Sequence, residues 1–316
     1  MNNNFDKKVL PEHKTIETMI SLSLLIYEFN NKLKIENKRN KDCNLDTLKF
    51  PDDSRKNLKQ RILNNMLIDS SLCELHRFYD EINGTQVGIT INHKEKRIIL
   101  VFRGSDELKD WLKNILFCKK QLPKIDENIY IHVGFYRCLF YNKLYNRLVA
   151  EINNLYLHNK DYDLYITGHS LGGALATLFG YFLSYNNTFN NNKNNNGNIN
   201  VVSFASPRLG NKKWVNDFNN RKNLKHIRIV NNHDIVTSIP YVNYFHCGNK
   251  LVLKNKKIEY NEYNQYNEYN QYNEYNKFKK ITFLQRPSIK AHNINKYYAK
   301  IMECKNIWYN NAKVKL

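Results

Sequence analysis

Near the middle of the chain a short apolar run, Leu164-Tyr165-Ile166, leads into Gly168-His169-Ser170-Leu171-Gly172, and a stretch rich in alanine and leucine follows at once. A G-x-S-x-G segment with a strand before it and a helix after it is a nucleophile elbow. The backbone turns so sharply that the serine takes up a strained conformation. Glycines two residues before and two after remove the side chains that would collide there. The hydroxyl then stands above the sheet at the positive end of the following helix, where developing negative charge is favoured. A glycine-rich turn with an incidental serine would share the pattern. The small-residue helix start Gly172-Gly173-Ala174-Leu175-Ala176 argues for the elbow. In it, the backbone N–H of Leu171 is a natural oxyanion donor.

The flanking sequence supplies strands and helices in alternation. Thr85 to Asn92 and Arg97 to Arg103 read as strands joined by a hairpin turn at His93 to Lys96. Tyr136 to Tyr156 reads as one long amphipathic helix, Asp163 to Thr167 as a strand, and Leu171 to Tyr185 as a helix. Asn200 to Ala205 and Lys225 to Val230 are further buried strands. Apolar strands alternating with helices indicate a mainly parallel sheet covered on both faces. Residues 12 to 80 look helical, with polar breaks near Asn37 to Asp42 and Pro51 to Ser54. Residues 1–60 are therefore expected to form an N-terminal helical arm, and residues 61–316 the main domain. Two stretches interrupt it: the asparagine-rich Asn186 to Asn198 and the Tyr-Asn repeat Glu259 to Asn276. Neither composition builds a packed core, so both are expected as surface excursions.

Four more motifs stand in a telling order. They are Phe102-Arg103-Gly104-Ser105 with Asp110-Trp111 downstream, His132-Val133-Gly134-Phe135, Ser203 to Asn211 (Ser-Phe-Ala-Ser-Pro-Arg-Leu-Gly-Asn), and Asn231-Asn232-His233-Asp234-Ile235-Val236 closed by Pro240. With the elbow, they resemble the class 3 lipase family over roughly residues 65 to 305. The resemblance implies an α/β-hydrolase fold, a mainly parallel central sheet flanked by helices, and hydrolysis of lipid acyl esters through a Ser-Asp-His triad and an acyl-enzyme. It implies Ser105 as the second oxyanion residue, and no cofactor and no metal. One departure is Ala205, where many members have glycine, a small-for-small exchange expected to matter little.

In this fold the acid follows the nucleophile and the histidine comes last. Asp217 and Asp234 are the aspartates in the window. Asp217 falls in an expected surface helix, Lys212 to Asn220, whereas Asp234 follows a strand end that can reach the site. Asp234 is the better acid. Only His246 and His292 come after it. His246 sits in a motif of structural character, and His292 resembles the family's catalytic histidine before the last helix. His292 is then expected within about 2.6–3.2 Å of Ser170, or somewhat farther without substrate. His169, in the elbow itself, should point away from the serine hydroxyl.

Downstream of Ser105, the residues Leu108, Trp111, Leu112 and Ile115 recur at helical spacing. The stripe fits a lid that opens at a lipid surface, and equally an ordinary helix packed on the core. The formal net charge of +20 suits an anionic surface, but the Asn, Lys, Ile and Tyr richness also fits a compositional bias. No arginine cluster with interleaved aromatics suggests nucleic acid. Six spread cysteines without a C-x-x-C pair, and no signal-peptide pattern, lead to an expectation of free thiols and of a cytoplasmic or membrane-peripheral protein. The substrate is then a lipid or membrane surface, and no obligate protein partner is expected. The alternatives are an inactive lipase-like interaction protein, a soluble carboxylesterase and a phospholipase A1.

Overall fold

The structure, a computed structural model, describes residues 11–36, 73–105, 118–186, 198–255, 257–263 and 288–308. Helix α1 (His13–Glu36) precedes an antiparallel meander of β1 (Cys73–Asp80), β2 (Gln86–Asn92) and β3 (Arg97–Phe102). Strands β4 (Lys119–Leu122) and β5 (Asp126–His132) form a separate antiparallel pair. The main sheet then continues in parallel through β6 (Asp163–His169), β7 (Ile199–Phe204), β8 (Leu224–Asn231) and β9 (Asn249–Lys254). Strand β10 (Lys257–Asn261) ends it antiparallel to β9, giving eight strands in the order β1-β2-β3-β6-β7-β8-β9-β10.

Both faces of the sheet are covered, as a buried parallel sheet requires. On one face lie α2 (Val133–Phe140), α3 (Leu144–His158), α4 (Leu171–Leu183) and α5 (Lys212–Asn219), sharing a core with Leu139, Leu148, Ile152, Phe179 and Trp214. On the other, α1 and α6 (Ile294–Glu303) bury Ile16, Met19, Ile20, Tyr297 and Ile301 against Val101, Phe204 and Ile229. Burying each such side chain fully contributes roughly 1.5–3 kcal/mol. Of the segment expected as an N-terminal arm, the first half of α1 is thus part of this packing. His13 donates from Nε2 to the Ile301 carbonyl at 2.9 Å, and Trp308 donates from Nε1 to Pro11 at 2.8 Å. These two bonds tie the start of α1 to the last helix.

Three expectations need correction. Residues 73–80 are an edge strand, not helix; the exposed side chains of Arg77 and Asp80 suit an edge, and the charged residues of the segment mask its apolar alternation. The helix expected over Tyr136 to Tyr156 is two helices, broken at Asn142 and Lys143, whose φ values are 47° and 56°. Asparagine tolerates the left-handed region, and Asn142 donates to Glu81 at 3.2 Å. Both helices present their apolar stripes to one core, so the periodicity runs through the break. Finally, the Tyr-Asn repeat does not begin as an excursion: Glu259, Tyr260 and Asn261 pair with β9, and Tyr263 bonds Asn216 and Asn249. The lid candidates Leu108, Trp111, Leu112 and Ile115 lie outside the described residues. Cys118, Cys138, Cys247 and Cys304 are free thiols.

Candidate active site

The parallel strands deliver their following loops to one edge of the sheet. Gly104 and Ser105 follow β3, Ser170 follows β6, Ser206 follows β7 and Asp234 follows β8. Outside the carboxyl ends of parallel strands is where such sheets build their sites.

Ser170 has φ 59° and ψ −124°, the strained geometry of the elbow. Its N–H donates to the Phe204 carbonyl at 2.9 Å, so neighbouring β7 holds the turn in place. The two elbow glycines are required by close approach: a Cβ on Gly172 would stand 2.1 Å from the Phe102 oxygen, and one on Gly168 would stand 2.4 Å from the Gly172 carbonyl carbon. A Cβ on Gly104 would come within 3.3 Å of the Ser170 Cβ, so the loop carrying Ser105 runs directly beside the serine. The first intrahelical donor of α4 to reach the Ser170 carbonyl is Ala174, which leaves the N–H of Leu171 outside the helical ladder.

Across the same edge, Asp234 is buried at 3 % exposure. It accepts from the Val236 N–H at 2.9 Å, the Tyr297 hydroxyl at 2.7 Å, and His292 Nδ1 at 2.9 and 3.1 Å. Burial, then the Asp234 charge, pushes the Tyr297 phenol well above its usual range, which keeps it a donor. Because Nδ1 of His292 faces a carboxylate it carries the proton, and Nε2 presents its lone pair. Among the described residues, neither His292 Nε2 nor Ser170 Oγ has a hydrogen-bond partner, although both are buried. The expected bond between them is therefore not closed; such contacts often tighten only with substrate bound. A cavity of about 450 Å³ opens here, with Tyr27, Ser105, His169, His292 and Lys296 on its wall.

The remaining candidates lie in other surroundings. Asp217 binds Arg221 and the hydroxyls of Tyr181 and Tyr185. His246 donates from Nε2 to the Thr237 carbonyl at 2.6 Å. His169 packs its ring 4.7 Å from that of His292. Tyr27 and Tyr297 are the residues sequence reasoning missed. Each acts through contacts between distant segments, and no local pattern marks either.

Ala205 has φ 53°, so the exchange for glycine is not neutral. A non-glycine residue in this region is strained by about 1 kcal/mol.

Three interior histidines make stability depend on pH. Burial is the first cause lowering His169, His226 and His246, and Arg228 adds to the effect on the last two; His226 falls to about 3. An unfolded histidine titrates near 6.5. Above about pH 6.5 both states are neutral and the stability is fully present. Below it the unfolded chain takes up protons that the folded chain refuses, so stability is lost progressively as pH falls toward 3. Thermal melts should show Tm declining steadily from about pH 6.5 to about pH 4; a flat Tm across that interval would contradict neutral buried histidines.

An eight-stranded, mainly parallel sheet with a serine elbow between β6 and α4 is the α/β-hydrolase fold. Within that fold, residues 99–244 match the family described as Lipase (class 3). It is similar to the lipase of Rhizomucor miehei, 28% identical over 159 residues, which cover 50% of this chain and 42% of that one. It is also similar to secreted mono- and diacylglycerol lipase A of Penicillium cyclopium, 26% identical over 130 residues, 41% of this chain and 39% of that one. The chain thus spans less than half the length of the curated relatives it matches. The solved structure of Rhizomucor miehei triacylglyceride lipase superposes with a TM-score of 0.62 at 18% identity, covering 90% of this chain and 94% of that one. This is a likeness of fold. A secreted relative gives no support to a cytoplasmic location, and no helix among the described residues is long and apolar enough to cross a membrane.

Proposed function

We propose that the chain is a lipid acyl-ester hydrolase, triacylglycerol lipase-like, with Ser170 as nucleophile, His292 as general base and Asp234 as the acid that orients it. The observation that carries the reading is the buried Asp234–His292 pair, which leaves an imidazole lone pair available on the same sheet edge as a strained serine whose hydroxyl has no hydrogen-bond partner among the described residues. His292 Nε2 takes the Ser170 proton as Oγ attacks the ester carbonyl. The N–H groups of Leu171 and Ser105 hold the oxyanion, helped by the start of α4. His292 then protonates the leaving alcohol, and water repeats the two steps on the acyl-enzyme. Asp234 steadies the imidazolium and stays ionised. A lipid surface as the source of substrate is supported by the cavity lining, where exposed Ile289 stands beside Lys290.

The test is fatty-acid release from an emulsified triacylglycerol, with labelling by a fluorophosphonate probe alongside. The expected result is release together with one labelled serine. A folded protein that neither releases acid nor takes the label would overturn the reading.

A further inference from the structure

Among its described side chains, helix α1 reaches the site through Tyr27. The Tyr27 hydroxyl lies 3.0 Å from His169 Nδ1, and His169 Nε2 lies 2.9 Å from the backbone carbonyl of His292. A carbonyl can only accept, so Nε2 carries the ring proton and donates it there. A neutral ring then has a bare Nδ1, and the Tyr27 hydroxyl must be the donor to it. The chain of donors therefore has a single direction: Tyr27 to His169 to the main chain of the candidate base. Its geometry is tightly held. A Cβ on Gly104 would stand 2.2 Å from the Tyr27 oxygen, and the guanidinium of Arg103 sits 5.3 Å from the Tyr27 ring. His169 is itself buried at 5 % exposure, with its ring edge-on to Tyr297 at 5.8 Å.

We infer that Tyr27 and His169 are positioning residues for catalysis, a relay through which the N-terminal helix fixes the backbone of His292 and so aims its Nε2. The inference rests on the catalytic reading above. Nothing else in the described structure asks for a histidine at the elbow: an apolar residue would fill the same interior space, but it could not hold the His292 carbonyl. Two contacts place His292, one on its ring and one on its main chain. Asp234 holds the ring through Nδ1, and His169 holds the main chain through its carbonyl. A neutral ring is also the one that suits its place. His169 packs against His292, and a second positive charge there would oppose the imidazolium that forms each time His292 takes the serine proton.

The experiment is a double-mutant cycle of Tyr27→Phe and His169→Phe on a soluble p-nitrophenyl ester, with Ser170→Ala as control and Tm recorded for each. Tyr27→Phe leaves a buried Nδ1 without its donor, and should lower kcat about tenfold with KM changed less than about twofold. In the His169→Phe background, loss of the Tyr27 hydroxyl should cost nothing further, because the two act as one unit. An unchanged kcat for Tyr27→Phe, or losses that multiply, overturns the relay. Should a variant lose its cooperative melt, nitrogen NMR of the wild-type imidazoles decides. His169 protonated on Nε2 and titrating well below the usual imidazole range supports the relay; a proton on Nδ1 overturns it. The two readings fail differently. A folded wild type no more active than Ser170→Ala overturns the catalytic reading and the relay together. An active wild type with a fully active Tyr27→Phe overturns the relay alone.

Discussion

Replacing Ser170 with alanine should abolish hydrolysis of both a soluble p-nitrophenyl ester and an emulsified triacylglycerol, with a loss on the order of 10³-fold or more in kcat/KM. The expectation follows from the role proposed for the hydroxyl: without a nucleophile no acyl-enzyme forms, and only the oxyanion donors and substrate binding remain. The variant should fold normally. The bond that holds the turn is made by the backbone N–H of Ser170 to Phe204, which alanine keeps. The Oγ has no partner among the described residues, so its removal leaves no donor or acceptor stranded. Alanine also inherits the same strained φ of 59°, so the elbow is no more costly than before. Steady-state kinetics with a thermal melt on the same sample checks both halves. A cooperative melt near that of the wild type, with more than a tenth of the activity retained, would remove Ser170 from the mechanism.

The elbow could be read from sequence because its physics is local. The turn itself brings Gly168 and Gly172 together, four residues apart, and a Cβ at either would also meet the Phe102 carbonyl on the neighbouring strand, a clash the local sequence does not show. The parallel strands were readable because burial on both faces makes them largely apolar, as in β3, which pairs in parallel with β6 and is buried from Ile98 to Phe102. What escaped depends on neighbours far away in the chain. β1 carries three charged residues in eight and is a strand because β2 offers it an edge. The small pair β4–β5 is likewise polar along one strand and gains its place by packing under α2 and α5. The left-handed residues between α2 and α3 follow a periodicity that gives no warning of them. In the site, Asp234 and His292 carried motif context, but Tyr297, which donates to Asp234, and Tyr27, which donates to His169, carried none. A tyrosine in an amphipathic helix reads as core, and only the fold decides where its hydroxyl ends. Ala205 teaches the reverse lesson. Its size is readable, but its positive φ, the property that matters there, is not.

The two late histidines should separate cleanly under mutation. His292→Ala is expected to lower kcat/KM about as far as Ser170→Ala, because removing the base leaves the serine a poor nucleophile. Combining the two should cost little beyond either alone, since members of a triad act as a unit. The folded state should survive the change. Asp234 keeps its bonds from Val236 and Tyr297, so the buried carboxylate is not left bare. His246→Ala should do the opposite. That ring is buried, far from carboxylates in its bonding, and donates to the carbonyl of Thr237 in the loop just after Asp234. Its loss leaves that half-buried acceptor without its donor and opens a gap, for a destabilisation of about 1–3 kcal/mol. Activity should fall only as far as the acid loop shifts, well short of the loss at His292. Denaturant unfolding and ester hydrolysis on the same two variants decide the matter. If His246→Ala proves inactive while keeping wild-type stability, and His292→Ala stays active, then His246 is the base. The bond between His292 and Asp234 would then be a structural tie alone.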